Sequence, residues 1–296
     1  MNNFSSITDI PKLADSDDSF GIKPFEKGLT EFIKTTSTPI TIALQGEWGS
    51  GKTSLMNSLQ ASLSDIKGEN NFHSIWLNTW EYSLMKDASD TLIDILSGLI
   101  KEMSIIAKLD ESEAKKLIGK VLNLGRNLGR FIAKTSLNKI VDGIGDEADD
   151  FFKNSGQDSI GEIRNQLESI ISECIEKDKK KGLIFFIDDL DRIDPPVAVQ
   201  LLELLKNIFT LENCVFILAV DYDVIIKGLE PKFGKLTETN EREFRSFFDK
   251  IIQVPFSIPV SNYNIEDFIK QSLISINYVD SKFSENKNFI SFKYYI

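Results

Sequence analysis

A chain of 296 residues that is 42% hydrophobic and 27% charged has the composition of a soluble globular protein, with room for one large α/β domain plus an insertion or partial second domain. Its formal net charge of −11 makes the surface as a whole repel nucleic acid and anionic membrane. Two cysteines (Cys174 and Cys214) and one histidine (His73) leave no disulfide framework, His-based metal cluster or Ser-His triad to expect. The opening MNNFSSITDIPKL has neither a basic stretch nor an apolar core, so no secretory signal is expected. No run reaches the roughly 18 uncharged apolar residues of a membrane span. A cytoplasmic protein with reduced thiols and no transmembrane segment is the expectation.

In chain order, residues 1–19 form a polar lead-in carrying Asp15, Asp17 and Asp18. Phe25, Leu29, Phe32 and Ile33 give the segment 20–34 a helical pattern. Pro39 to Leu44 (PITIAL) is an apolar, β-branched run that reads as a buried strand. Directly after it comes Gly46-Glu47-Trp48-Gly49-Ser50-Gly51-Lys52-Thr53, which matches the phosphate-binding pattern G-x-x-x-x-G-K-[ST]. Leu55, Leu59 and Leu63 then recur at helical spacing, so strand, loop and helix follow in the order that chemistry needs.

Each position in this loop has a physical reason. Glycines let the backbone curl until successive N–H groups point inward at phosphate oxygens. The helix starting at Lys52-Thr53 turns its positive dipole end to the same anions, with Ser54 in its first turn. Lys52 is placed to reach the β- and γ-phosphates, and the Thr53 hydroxyl to coordinate Mg²⁺. A glycine-rich turn that binds nothing would not require this agreement of strand, loop and helix.

Further along, Ser74 to Trp80 (SIWLNTW) reads as a second strand, and His73 as a residue capping or flanking it. Asp90 to Ala107 reads as a helix with Leu92, Ile95, Leu96, Leu99 and Ile100 on one side. Residues 108–181 are helical in pattern, contain no good strand and end in a charged stretch. Leu183 to Ile187 (LIFFI) is the strongest strand in the sequence. Asp194-Pro195-Pro196 marks a helix start, an N-cap acid before prolines, and the helix is completed by Gln200 to Phe209. Cys214 to Val220 (CVFILAV) is a continuous apolar strand, and Ile251 to Ile258 (IIQVPFSI) a further one. A helix at Tyr222 to Leu229 follows the former, and one at Ile265 to Ile276 the latter. Wholly apolar strands separated by helices predict a mostly parallel sheet covered on both faces.

The second chemical constellation is Ile184-Phe185-Phe186-Ile187-Asp188-Asp189-Leu190-Asp191-Arg192. A hydrocarbon strand ending in carboxylates places them at the carboxyl edge of the sheet, where ligands bind in open α/β folds. Asp188 is the natural metal-side acid, and Asp189 the natural base for an attacking water. Asp191 either assists or caps the following turn. Asp221, at the tip of CVFILAV, either senses a γ-phosphate or starts the next helix. Arg192, Arg242 and Arg245 are candidates for transition-state charge, with surface ion pairing as the alternative for each. No N-K-x-D guanine-reading motif is present, which favours ATP over GTP.

Together these motifs resemble the KAP family of P-loop NTPases. The resemblance covers about residues 18–270 and is carried by GEWGSGKTSL (46–55), Trp76-x-Asn78-x-Trp80, IFFIDDLDRIDP (184–195), FILAVDYDVI (216–225) and FFDKIIQVPFSIP (247–259). It implies a three-layer fold whose sheet is of the additional-strand type, with a strand between the loop-bearing strand and the acidic one. It also implies partner-regulated or oligomer-dependent ATP hydrolysis, and in bacterial members a mobile-element or phage-defence context. Related ATPases cradle adenine just before the first helix, which points to Phe20 and Gly21.

The domain reading is a core in two parts, 20–107 and 182–262, with a helical insertion at 108–181 and a partial C-terminal helical lid at 263–296. Within the insertion, residues 115–139 carry Lys115, Lys116, Lys120, Arg126, Arg130, Lys134 and Lys139 beside an apolar set from Leu117 to Ile132. Such a basic amphipathic helix is an ordinary solvated helix, a partner-binding element, or a contact with a membrane surface or nucleic acid. Many KAP relatives insert membrane spans there, and this sequence lacks them. The apolar, aromatic end FISFKYYI (289–296) predicts burial against something.

Overall fold

The computed structural model describes residues 11, 18, 20–64, 72–83, 88–109, 112, 115, 157–206 and 210–275. The basic segment 116–139 and the aromatic end 289–296 lie outside the described residues. In the described part, the strands are β1 (Ile40–Gln45), β2 (His73–Asn78), β3 (Leu183–Asp188), β4 (Cys214–Val220) and β5 (Val254–Ser257). They form one sheet in the order β2-β3-β4-β1-β5, and every neighbouring pair is parallel. β4 separates the loop-bearing β1 from the acidic β3, so the expected additional strand is present.

The apolar runs are explained by two cores, one on each face. Successive side chains of a strand point to opposite faces. In β3, Leu183, Phe185 and Ile187 enter one core while Ile184 and Phe186 enter the other. β4 divides the same way, Phe216 and Leu218 against Val215 and Ile217. In β3 and β4, covered on both faces, no charged residue comes before the tip; β1 buries one polar side chain, Thr41.

Helices α1 (Lys23–Thr35) and α2 (Lys52–Leu63) cover one face, burying Leu29, Ile33, Leu55, Met56 and Leu59. A short α3 (Thr79–Ser83) follows β2. The other face is covered by α4 (Ala88–Ala107), α5 (Gln157–Asp178), α6 (Pro195–Lys206), α7 (Tyr222–Phe233) and α8 (Glu241–Asp249). Their Leu96, Ile171, Leu201, Ile225 and Phe244 share a core with Phe185. Gly228 of α7 lies so close to α6 that a Cβ there would run into the Pro195 carbonyl. The last part of the segment 108–181 is thus α5, whose Leu167 and Ile171 belong to the core of the sheet. No helix among the described residues is long and apolar enough to cross a membrane.

Among the element boundaries that differ from the sequence expectation, three have a visible reason. β2 stops at Asn78, not Trp80, because the Asn78 side chain accepts from Trp80 N–H (3.1 Å) and the Thr79 hydroxyl donates to the Asp188 carbonyl (2.9 Å). These bonds turn the chain into α3. β5 begins at Val254, since the Ile251 and Ile252 N–H groups both donate to the Phe248 carbonyl and finish α8. Gln253 then bridges to β1: its side-chain oxygen accepts from Thr41 N–H (2.7 Å) and its own N–H donates to the Thr41 carbonyl (3.1 Å). Pro255 is tolerated because β5 is an edge strand. Helix α8 was not expected at all. Its apolar face is only Phe244, Phe247 and Phe248 on a short polar segment, and burial of those rings sets it. α1 begins at Lys23, later than Phe20, where both Asp18 carboxylate oxygens accept from the Ile22 and Lys23 N–H groups (3.0 Å each). His73 opens β2 and sits 3.2 Å from Asp178.

Candidate functional site

The loop after β1 is tied to its neighbour by the Gly46 N–H, which donates to the Val220 carbonyl at the tip of β4 (3.2 Å). Gly49 (φ 79°) and Gly51 (φ 89°) occupy the left-handed region, where a side chain would be strained. A Cβ on Gly46 would collide with the Ser50 hydroxyl. These three glycines fold the loop back over the start of α2, and Gly51 caps that helix. The Ser50 hydroxyl is buried there without a hydrogen-bond partner. Glu47 supplies its carbonyl to Ser50 N–H (3.2 Å), and Trp48 stands outward, 74% exposed. Ser54 follows in the first turn of α2.

Lys52 is buried at the centre. Its Nζ donates to the carbonyls of Gly46 (2.7 Å) and Glu47 (3.0 Å), and lies 3.0 Å from Asp191 Oδ2. Both side chains of that ion pair are only 8% exposed. Asp191 was left open by the sequence, and its place is beside the loop lysine.

The acids are positioned by the apolar residues among them. Leu190 and Ile193 are buried in the core, which holds the intervening carboxylates at the sheet edge. Asp188 is the last residue of β3, 4% exposed and in register with Asn78 of β2. Its carboxylate accepts from Asp189 N–H (2.9 Å) and from the Thr53 hydroxyl. Burial nevertheless pushes its carboxyl above the ordinary range, with the Asp189 and Asp191 charges adding to the effect. Asp189 occupies the left-handed region (φ 59°), a strained corner of the kind found at functional sites. Burial raises its carboxyl as well, against the opposing pull of Arg192. Arg192 Nε lies 2.6 Å from Asp189 Oδ1, and its guanidinium sits over the Trp80 ring at 5.4 Å. The Asn78 side chain also bonds Asp189.

The structure thus brings Lys52, Thr53, Asp188, Asp189, Asp191 and Arg192 together. Asn78 and Thr79 belong with them; their signal in the sequence was their place at the end of the run SIWLNTW, and the sheet sets Asn78 in register with Asp188. Asp221 caps α7, its carboxylate accepting from Asp223 N–H (3.0 Å) at the tip of β4. Arg245 pairs with Glu241 one turn earlier on α8 (2.8 Å). Phe20 stacks on Phe268 (centroids 4.5 Å) and Tyr263 (4.9 Å), beside the left-handed Gly21 (φ 74°).

A model of the KAP family P-loop domain matches residues 22–294 of this sequence. The chain belongs to the KAP family. The match takes in the loop, the acidic strand tip and the segment after β5, so the geometry above is that of a KAP P-loop domain. A similar curated protein is the phage T7 exclusion protein of Escherichia coli (strain K12), 24% identical over 275 residues. The alignment takes in 86% of this chain and 34% of that protein, so the chain spans about a third of its relative's length.

The donor set of this KAP domain fits a nucleotide with Mg²⁺. A hydroxyl and a buried carboxylate facing each other, Thr53 and Asp188, are hard oxygen ligands of the kind that ion takes while retaining waters. The unpartnered Ser50 hydroxyl and the buried Lys52 ammonium belong to the same loop and are of the chemistry that a phosphate would take. One consequence is measurable without ligand. Because the Asp188 carboxyl is raised on folding, the folded state holds that proton more tightly than the unfolded chain. Stability is therefore lost as pH rises from the ordinary carboxylate value through the raised one. Asp188→Asn keeps an acceptor for Thr53 and removes that cost. Denaturant melts should find the variant more stable than the parent at neutral pH, with the gain vanishing in acid.

Proposed function

We propose that this KAP domain binds ATP with Mg²⁺ at the carboxyl edge of its sheet, hydrolyses it, and acts as a nucleotide-dependent switch. The observation that carries the reading is the convergence of a left-handed glycine loop, a buried lysine and two carboxylates of different environment on one strand tip. The loop Gly46–Thr53, chiefly through its Gly49, Gly51, Lys52 and Thr53 amides, cradles the phosphates with the Lys52 ammonium and Ser54, and Phe20, Gly21 and Asp221 border the nucleotide. Thr53 and Asp188 hold the metal, which supplies charge neutralisation on the β- and γ-phosphates. Asp189 orients and deprotonates the attacking water, and Arg192 offsets developing charge.

In this reading the nucleotide core runs through 20–107 and 182–262, the insertion 108–181 and the lid 263–296 respond to γ-phosphate occupancy, and assembly or a partner protein regulates turnover. A cytoplasmic location fits such a switch. The relative's name makes phage exclusion the biological process to test first.

A second reading, a nucleotide-gated interaction module with little turnover, is favoured by one observation. Lys52 and Asp189 are each engaged, by Asp191 and Arg192. Phosphate release from ATP, measured at several protein concentrations against Lys52→Ala, separates the two. Release that is lost in the variant supports the ATPase. Tight ATP binding with no release at any concentration supports the module.

A further inference from the structure

The segment between β5 and α9 (Ile265–Ser275) is fastened to the end of β1 and to Phe20, just ahead of α1. Ile258 N–H donates to the Gln45 carbonyl (2.8 Å), the last residue of β1. Asn264 N–H donates to the Phe20 carbonyl (3.0 Å), and the Phe20 ring stacks on Phe268 of α9 and on Tyr263. Between these anchors, the Tyr263 hydroxyl donates to the Ser50 carbonyl at 2.6 Å. It is a side-chain contact spanning 213 positions of sequence to reach one peptide of the loop.

That peptide joins Ser50 to the left-handed Gly51. A trans peptide carries its C=O and N–H in opposite directions. With the Ser50 oxygen tied to Tyr263, the Gly51 N–H is directed away from Tyr263. Gly51, at φ 89°, has no side chain to bias the peptide against rotating. A rotated peptide would present a carbonyl where an anion needs a donor.

We propose that Tyr263 is a positioning residue for the phosphate loop, its hydroxyl holding the Ser50–Gly51 peptide so that the Gly51 amide faces the nucleotide phosphates. Loop affinity is thereby coupled to the placement of the segment leading into α9. The tyrosine remains a donor across the working range, since burial pushes its hydroxyl above its ordinary pKa. This inference rests on the nucleotide-binding reading above.

The test is calorimetric titration of the full chain with ATP·Mg²⁺, alongside steady-state turnover and thermal melts, for the parent, Tyr263→Phe and Lys52→Ala. Loss of one neutral hydrogen bond corresponds to about a three- to tenfold weaker Kd for Tyr263→Phe, with KM rising more than kcat falls. A purely structural tyrosine would lower the melting temperature and leave Kd unchanged, and that result overturns the proposal. Parental binding that is lost in Lys52→Ala but equal in Tyr263→Phe refutes Tyr263 alone. A parent that binds no nucleotide refutes the nucleotide reading and this inference with it. Should Tyr263→Phe not fold, Phe268→Leu keeps the hydroxyl and loosens the stack behind it. At least a twofold loss of affinity there supports the coupling, and unchanged affinity overturns it.

Discussion

Asp189→Asn is expected to lower ATP turnover by about 10²- to 10⁴-fold, the usual worth of a positioned general base, while leaving ATP·Mg²⁺ binding in place. Asn occupies nearly the same volume and tolerates the left-handed backbone that Asp189 adopts, so the corner after β3 survives the change. The lost partner is Arg192, 41% exposed, so its ion pair contributes little to stability. What disappears is basicity at the site. Burial that raises the Asp189 carboxyl makes it a better proton acceptor than a free aspartate. Single-turnover phosphate release and calorimetric Kd, measured on the same preparation, check the two halves. Turnover that persists in the variant would assign the proton to another group.

Asp191→Asn should act mainly on stability, and in a nucleotide-dependent way. Lys52 and Asp191 form an ion pair in which both side chains are nearly excluded from solvent. Neutralising one partner leaves a buried ammonium with only the Gly46 and Glu47 carbonyls. Breaking such a pair typically costs about 3–5 kcal/mol, and the amide oxygen's residual contact puts Asn at the low end. Against a total stability of roughly 5–15 kcal/mol, that is a large fraction. Phosphate oxygens supply the missing negative charge, so ATP·Mg²⁺ should restore more stability to the variant than it adds to the parent. Denaturant midpoints with and without nucleotide measure the difference. Equal increments in both proteins would mean that Lys52 does not exchange its carboxylate for phosphate.

The same pair illustrates where reading along the chain stops. The phosphate loop was legible because its chemistry is local: glycines, lysine and threonine act within one turn of backbone, and the flanking strand and helix carry their own periodicities. Asp188 and Asp189 were legible because β3, covered on both faces, is wholly apolar until its tip. Asp191 was ambiguous because its role is defined by Lys52, on another element. Tyr263 gave no signal at all, since one tyrosine in a polar stretch reads as surface until the sheet edge carries it to Ser50.

The sequence by itself determined that this chain is a P-loop α/β protein, because burial on two faces and amide-lined anion binding both leave their imprint on consecutive residues. It determined its KAP membership through the same local motifs. The family resemblance implied a strand between β1 and β3; only the tertiary structure decided that it is β4, that Asn78 stands level with Asp188, and that Asp191 and Tyr263 converge on the loop. Those relations depend on the parallel register of strands far apart in sequence, and that register is fixed by the packing of two cores.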